Sequence, residues 1–306
     1  MPPRRSCRSA RSPEPLSLLG RQTSGSVVCI SCGRLVGVRD ERCFNCGKRN
    51  PSLFGFSPVV RRFGADLGFV KFLIGTCAVV FLLSLLLSRG DIGMSGLMGM
   101  LSPAPTAQLL LGASGALPVY GLGMWWTVLS AGFLHGSLLH ILFNMMWVRD
   151  LAPPVANLYG AGRMVLIYSA SSVVGFVVSS AAQAFLPPIP LLGGGGRMTV
   201  GASAAIFGLL GALVCYGRRT GQSAMHKQVW TWAAVMFVFG LVMPGVDNFA
   251  HAGGFAGGYG AARALDPLKP ERVQHLAMAL VCFVLTIVSV AFSFFYGSRV
   301  LAAMGV

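Results

Sequence analysis

Charge is scarce in this chain. Only 11% of its 306 residues are Asp, Glu, Lys or Arg, and only nine are acidic. A soluble globular domain carries about a quarter charged residues, so that class is excluded. With 54% hydrophobic residues and a mean hydropathy of +0.69, this is a membrane composition. Internal repeats are also missing, which weakens any reading as a transporter built from two like halves. A cleavable signal peptide is not expected either. The first long apolar stretch starts at Phe69, is too long for a signal core, and follows a small folded module.

What is present begins with seven apolar stretches separated by charged loops. They run from about Phe69 to Ser88, Leu138 to Trp147, Met164 to Leu186, Gly201 to Tyr216, Val229 to Met243, Phe249 to Leu265 and Leu276 to Phe295. The fourth to sixth are short or glycine-rich against the ~20 residues that span a bilayer. Threaded as spans, they leave only Arg89, Arg197 and Arg299 of 24 basic residues on the side opposite the N-terminus. The positive-inside rule then puts the N-terminus in the cytoplasm and the C-terminus outside. The net charge of +15 is thereby explained as topology. The expected partner is the lipid bilayer, and no nucleic acid is expected.

Before the first span, residues 1–25 form a basic, Arg-, Ser- and Pro-rich tail expected to be disordered. Residues 26–52 hold Cys29-Ile-Ser-Cys32-Gly33 and, ten residues on, Cys43-Phe-Asn-Cys46-Gly47. Two such knuckles aim four thiolates at one point, which suits tetrahedral Zn²⁺, with iron the main rival. So small a segment cannot bury a core of its own, and the metal supplies the folding energy. A reducing cytosol argues against disulfides here. The ribbon reads either as a structural knob or as a docking site for a protein regulator. Residues 53–68 link it to a core over 69–266, and 267–306 carry the seventh helix and a short tail. Cys7, Cys77, Cys215 and Cys282 lack ligand spacing and read as apolar fillers.

Three polar signatures interrupt the apolar sequence. They are His135-Gly-Ser-Leu-Leu-His140-Ile-Leu-Phe-Asn144, Gly201-Ala-Ser203-Ala204 and Ala250-His251-Ala-Gly253-Gly254. Such side chains are expensive in a bilayer and are functional candidates by default. Serine with histidine is the minimum kit for nucleophilic catalysis. In the threading above all three lie at the outer ends of even-numbered spans, at matched depth. Ser203 starts a helix, whose free N–H groups suit an oxyanion. His251 is placed to take the serine proton. His140 and Asn144, four apart, share one helix face. His135 is expected nearer the surface, orienting the loop, and Asp247 as a solvated loop residue. Gly253, Gly254, Gly257 and Gly258 on one helix, and Gly201, Ala205, Gly208 and Gly211 on the other, are expected to let the two approach closely.

These motifs, in this order and with Trp126 before them, make the chain resemble the rhomboid intramembrane serine proteases that carry an N-terminal zinc ribbon. The resemblance covers about residues 66–266. It implies an all-α polytopic membrane protein: a six-helix bundle plus a seventh C-terminal transmembrane helix, preceded by the small ribbon. It implies a Ser203–His251 dyad, with His140, Asn144 and the Ser203 backbone at the oxyanion hole, and no cofactor for catalysis. It implies cleavage of transmembrane protein substrates near the outer boundary of a bacterial inner (plasma) membrane, at a small residue. It also makes the stretch 92–126 a half-submerged loop. The rival is an inactive rhomboid-like protein that binds client helices, but such relatives lack the serine or the histidine. Two departures stand out. Ala204 replaces a glycine after the serine and adds a methyl beside the nucleophile, and Thr127 replaces an arginine after the tryptophan. Gly112-Ala-Ser114-Gly115 mimics the serine motif, but it precedes the His/Asn segment and Pro118 follows it closely, against a long helix starting there.

Overall fold

The computed structural model describes residues 21–61, 64–189, 193–243, 245–269 and 271–305, so most of the expected N-terminal tail lies outside the described residues. Contacts divide the chain into two compact units, the second beginning at Gly64.

In the first unit, β1 (Ser26–Val28) pairs antiparallel with β2 (Leu35–Gly37), Val27 opposite Val36. Buried Val27, Val36 and Val38 surround the buried Cys29 and Cys43. The two knuckles repeat one geometry. The N–H of Gly33 bonds the Cys29 carbonyl at 3.0 Å, and that of Gly47 bonds the Cys43 carbonyl at 2.9 Å. Both glycines are left-handed, at φ 73° and 70°, a conformation other residues adopt at a cost. The short α1 (Ser57–Arg61) follows within the stretch expected as linker.

The second unit is helical: α2 (Phe69–Leu87), α5 (Leu138–Tyr159), α6 (Ala161–Phe185), α7 (Ser203–Thr220), α8 (Ser223–Val242), α9 (Asn248–Ala264) and α10 (Val273–Ala303). Between α2 and α5 lie a hairpin of β3 (Gly93–Ser95) and β4 (Gly99–Ser102), α3 (Pro105–Leu111), a π turn at Leu117–Gly121 and α4 (Thr127–Ser130). The expected loop is therefore itself folded. Among the described residues, α2, α6 and α10 are long and apolar enough to cross a membrane, and α5 with the segment Thr127–Phe133 makes a fourth, bent by 92°. The chain is an integral, multi-pass membrane protein.

α5 runs well past Trp147, where its apolar stretch stops. Arg149 and Asp150, just past that stretch, form an exposed ion pair at 3.0 Å inside the helix. Pro153 and Pro154 sit within its last turns without ending it. Gly160, at φ 102°, alone separates α5 from α6. A buried Arg163 then ties the α9–α10 connection to α6, donating to the carbonyls of Asp266 and Lys269 at 2.9 and 2.7 Å. α7 lies at the centre, packed by α5, α6, α8 and α9, with nearly every side chain buried.

Candidate active site and metal centre

Gly201, at φ 127°, turns the chain into α7, and its N–H donates to Ala131 O at 3.0 Å. Ser203 is the first residue of α7 and is half-buried. The first N–H to find a helical acceptor is that of Ile206, on Ala202 O at 3.0 Å. The N–H groups of Ser203, Ala204 and Ala205 thus form the unpaired first turn of the helix.

His140 is set by the start of α5. Ser137 caps that helix, its Oγ accepting from the His140 N–H at 3.3 Å. The imidazole Nδ1 accepts the Gly136 N–H at 3.2 Å. An accepting Nδ1 places the ring proton of a neutral imidazole on Nε2. The ring lies against Gly201, where a Cβ would come within 2.6 Å of Nε2. No side chain fits at Gly201, two residues before Ser203. Asn144 is buried, and its amide donates to His140 O at 2.8 Å, which leaves its second N–H for another acceptor.

His251 sits in the first turn of α9, and its ring stacks on Phe207 with centroids 4.2 Å apart and planes 17° from parallel. Phe207 is four residues after Ser203 on α7, so the stack brings His251 to the serine's face of that helix. Nothing marked Phe207 in the sequence, an aromatic in an apolar helix. Among the described residues, His251 Nδ1 is buried without a partner. Among the described residues no hydrogen bond joins Ser203 to His251. Resting enzymes often show such bonds loose, tightening only with substrate.

Glycines let α9 approach α7, in two rows that serve two neighbours. A Cβ at Gly254 would lie 2.1 Å from Ala204 O, and one at Gly258 2.2 Å from Gly208 O. Gly253 and Gly257 instead face α6, where added Cβ atoms would lie 2.8 Å from Cβ of Val178 and of Val174. Ala204, with Gly208 and Gly211, belongs to the α7 face that receives α9. Its methyl points to α6, 2.7 Å from where a Cβ at Gly175 would be. The expected crowding of the nucleophile is therefore replaced by packing against α6.

Three further expectations meet the structure here. Asp247 is no solvated loop residue. It caps α9, Oδ1 accepting from the Ala250 N–H at 2.9 Å, while Oδ2 bonds the Ser179 hydroxyl, whose oxygen accepts the Gly196 N–H at 2.8 Å. His135 is fully buried rather than near the surface, its ring 5.2 Å from that of His140 and both its nitrogens without partners among the described residues. Gln108 Nε2 donates to the His135 carbonyl at 2.9 Å. Ser114, of the mimic motif, follows the end of α3 and is buried, its backbone paired with Thr199.

In the ribbon the four sulfurs of Cys29, Cys32, Cys43 and Cys46 lie within 4.8 Å of one another. Cys29 and Cys46 are 3.8 Å apart and Cys32 and Cys43 3.6 Å. Tetrahedral Zn–S bonds of about 2.3 Å separate sulfurs by about 3.8 Å, so the donor set fits such an ion. Burial pushes the Cys29 thiol up to about 12, and a metal binding there displaces its proton.

Known proteins match the same region. A rhomboid domain family model matches residues 122–268. The chain is 34% identical over 147 residues to rhomboid protease GluP of Bacillus subtilis, covering 47% of this chain and 26% of that protein. It is 36% identical over 138 residues to RHOMBOID-like protein 4 of Arabidopsis thaliana, covering 44% and 32%. It is 32% identical over 146 residues to rhomboid protease GlpG of Klebsiella pneumoniae, covering 45% and 47%. The chain thus spans less than half the length of each of these relatives. Ser203, His251, His140 and Asn144 all fall inside the segment that is similar to the rhomboid domain.

Proposed function

We propose that this protein is an intramembrane serine endopeptidase that cuts transmembrane protein substrates. The observation that carries the reading is the meeting of α7 and α9. The Gly254 backbone lies against Ala204, one residue past Ser203, while His251, one turn before Gly254, stacks over the serine's helix face. Ser203 Oγ attacks the scissile carbonyl, and His251 takes its proton and passes it to the leaving amine. The oxyanion is met by the Ser203 N–H, by His140 Nε2–H and by the free amide hydrogen of Asn144. Water then hydrolyses the acyl-enzyme with His251 as base. The presence of both serine and histidine favours this over an inactive protein that only binds client helices.

On this reading Zn²⁺ sits on Cys29, Cys32, Cys43 and Cys46, holds the ribbon folded and takes no part in the reaction. Nothing in the ribbon favours docking of a regulator over a structural role. The charge pattern supports an N-terminus in the cytoplasm, Ser203 near the outer leaflet, and the cut at the outer end of the substrate helix, while the plasma membrane setting follows from the family resemblance.

The test is cleavage of a model single-span substrate in proteoliposomes. Ser203→Ala and His251→Ala should each abolish it while the protein remains folded, and a fluorophosphonate should label wild-type Ser203. Cleavage retained in Ser203→Ala but lost in Ser114→Ala would show that the wrong serine was chosen. A cut at the cytoplasmic end would refute the orientation.

A further inference from the structure

α10 carries polar groups that the proposed chemistry does not use. It is 31 residues long, and only 22% of its most apolar window is buried. A helix that mostly faces lipid needs no hydroxyls, yet Ser289 and Ser293 are buried, four residues apart on its protein side.

Both hydroxyls are engaged with one short segment. Ser289 Oγ donates to Trp126 O at 2.8 Å and lies 3.0 Å from Ser130 Oγ. Trp126 Nε1 donates to Ser293 Oγ at 3.0 Å. The Trp126 ring is gripped by Phe292 and Tyr296, with centroids 4.4 and 5.4 Å away, and the Tyr296 hydroxyl donates to Leu122 O at 3.3 Å. Every partner lies between Leu122 and Ser130. The next residue, Ala131, offers the carbonyl that holds the Gly201 N–H. Gly201 in turn bears the His140 ring and precedes Ser203 by two residues.

A continuous set of contacts therefore runs from α10 through the segment 122–131 to the start of α7. We propose that α10 is a clamp on this segment, and that Ser289 and Ser293 are positioning residues that set Gly201, and with it the oxyanion site, through Ala131. Without the clamp, the segment retains its own turns but loses its lateral reference. The N-terminus of α7 then samples positions in which its N–H groups and His140 no longer converge. The inference rests on the reading of Ser203 as the nucleophile.

The test uses the full chain in proteoliposomes with a transmembrane substrate. Ser289→Ala/Ser293→Ala should lower kcat about tenfold or more, as misplacement by a fraction of an ångström does. KM should stay within about twofold, because substrate capture is untouched. Fluorophosphonate labelling of Ser203 should slow by the same factor as kcat. Val288→Ala, on the lipid side of the same helix, should behave as wild type. Trp126→Phe keeps an aromatic ring, smaller than the indole, and removes the N–H. Combined with Ser293→Ala it should lose no more than either alone, since both break one bond. The pair Trp126→Phe and Ser293→Ala gives the same reading if the double-serine variant does not fold. Wild-type kcat in the serine variants, a loss confined to KM, or losses that multiply in the Trp126–Ser293 pair would overturn the clamp. A wild-type chain that neither cuts nor labels at Ser203 would overturn the protease reading itself, and the clamp with it.

Discussion

Substituting Gly254 by alanine perturbs the helix pair on which the proposed dyad depends. The added Cβ would lie 2.1 Å from Ala204 O and 2.7 Å from its carbonyl carbon. A carbon–oxygen contact needs roughly 3.3 Å, so the shortfall is about 1 Å. Both opposing atoms are backbone, and no side chain can swing aside. α9 must therefore move off α7, at a cost of about 1–3 kcal/mol in stability. His251 is one turn away on the moving helix and Ser203 sits on the stationary one, so the shift falls directly on their separation. A displacement of about 1 Å costs on the order of 10²-fold in rate. The internal control is Gly260→Ala on the same helix, where a Cβ meets nothing within 4 Å. That change should leave turnover intact and add up to about 1 kcal/mol of stability by removing a mid-helix glycine. Substrate cleavage, Ser203 labelling and thermal unfolding of both variants decide the matter. Wild-type turnover in Gly254→Ala, or an equal loss in Gly260→Ala, would refute the argument that close backbone approach sets the dyad.

Other outcomes follow from the same geometry. His140→Ala and Asn144→Ala should each lower kcat by about 10²–10³, the usual effect of losing one oxyanion donor, with substrate capture little changed; unchanged turnover in both would remove them from the mechanism. The purified chain should carry one Zn²⁺, and the segment 26–52 should lose its structure with chelator; iron, or a folded metal-free ribbon, would contradict this. Ala204→Gly should keep its activity but lose about 1–2 kcal/mol, from a buried methyl and from helix propensity; a large fall in kcat without loss of stability would show that the methyl shapes the site after all.

Much of the helical frame was legible because lipid imposes length and apolarity on α2, α6 and α10. The true extent of α5 was not. Its apolar stretch stops at Trp147, yet the helix continues through Arg149, Asp150 and two prolines to Tyr159. For the candidate site, histidine and serine announce themselves against an apolar background, whereas the groups that orient them do not. Phe207 is one aromatic among many until its ring is found on His251. Asp247 read as solvated because sequence cannot show that Ser179 and the α9 N-terminus claim its two oxygens. His135 read as shallow because its depth depends on a bent segment whose turn near Gly136 has no periodic signature. The glycines of α9 were visible, but not that alternate ones serve different helices.

The near-complete enclosure of α7 bears on how the protein is made. Among the described residues, α7 is not one of the helices apolar enough to cross a bilayer by themselves, and two arginines occupy its last turn. Its place at depth depends on the neighbours that surround it, because its own apolarity falls short of what holds a lone helix across a bilayer. During synthesis this helix is therefore a dependent passenger, settling once α5, α6 and α9 are available to receive it. If Ser203 is the nucleophile, as proposed, a newly made chain acquires it in working position only as the bundle closes, and unfinished molecules present no competent nucleophile to the other proteins crowding the site of insertion.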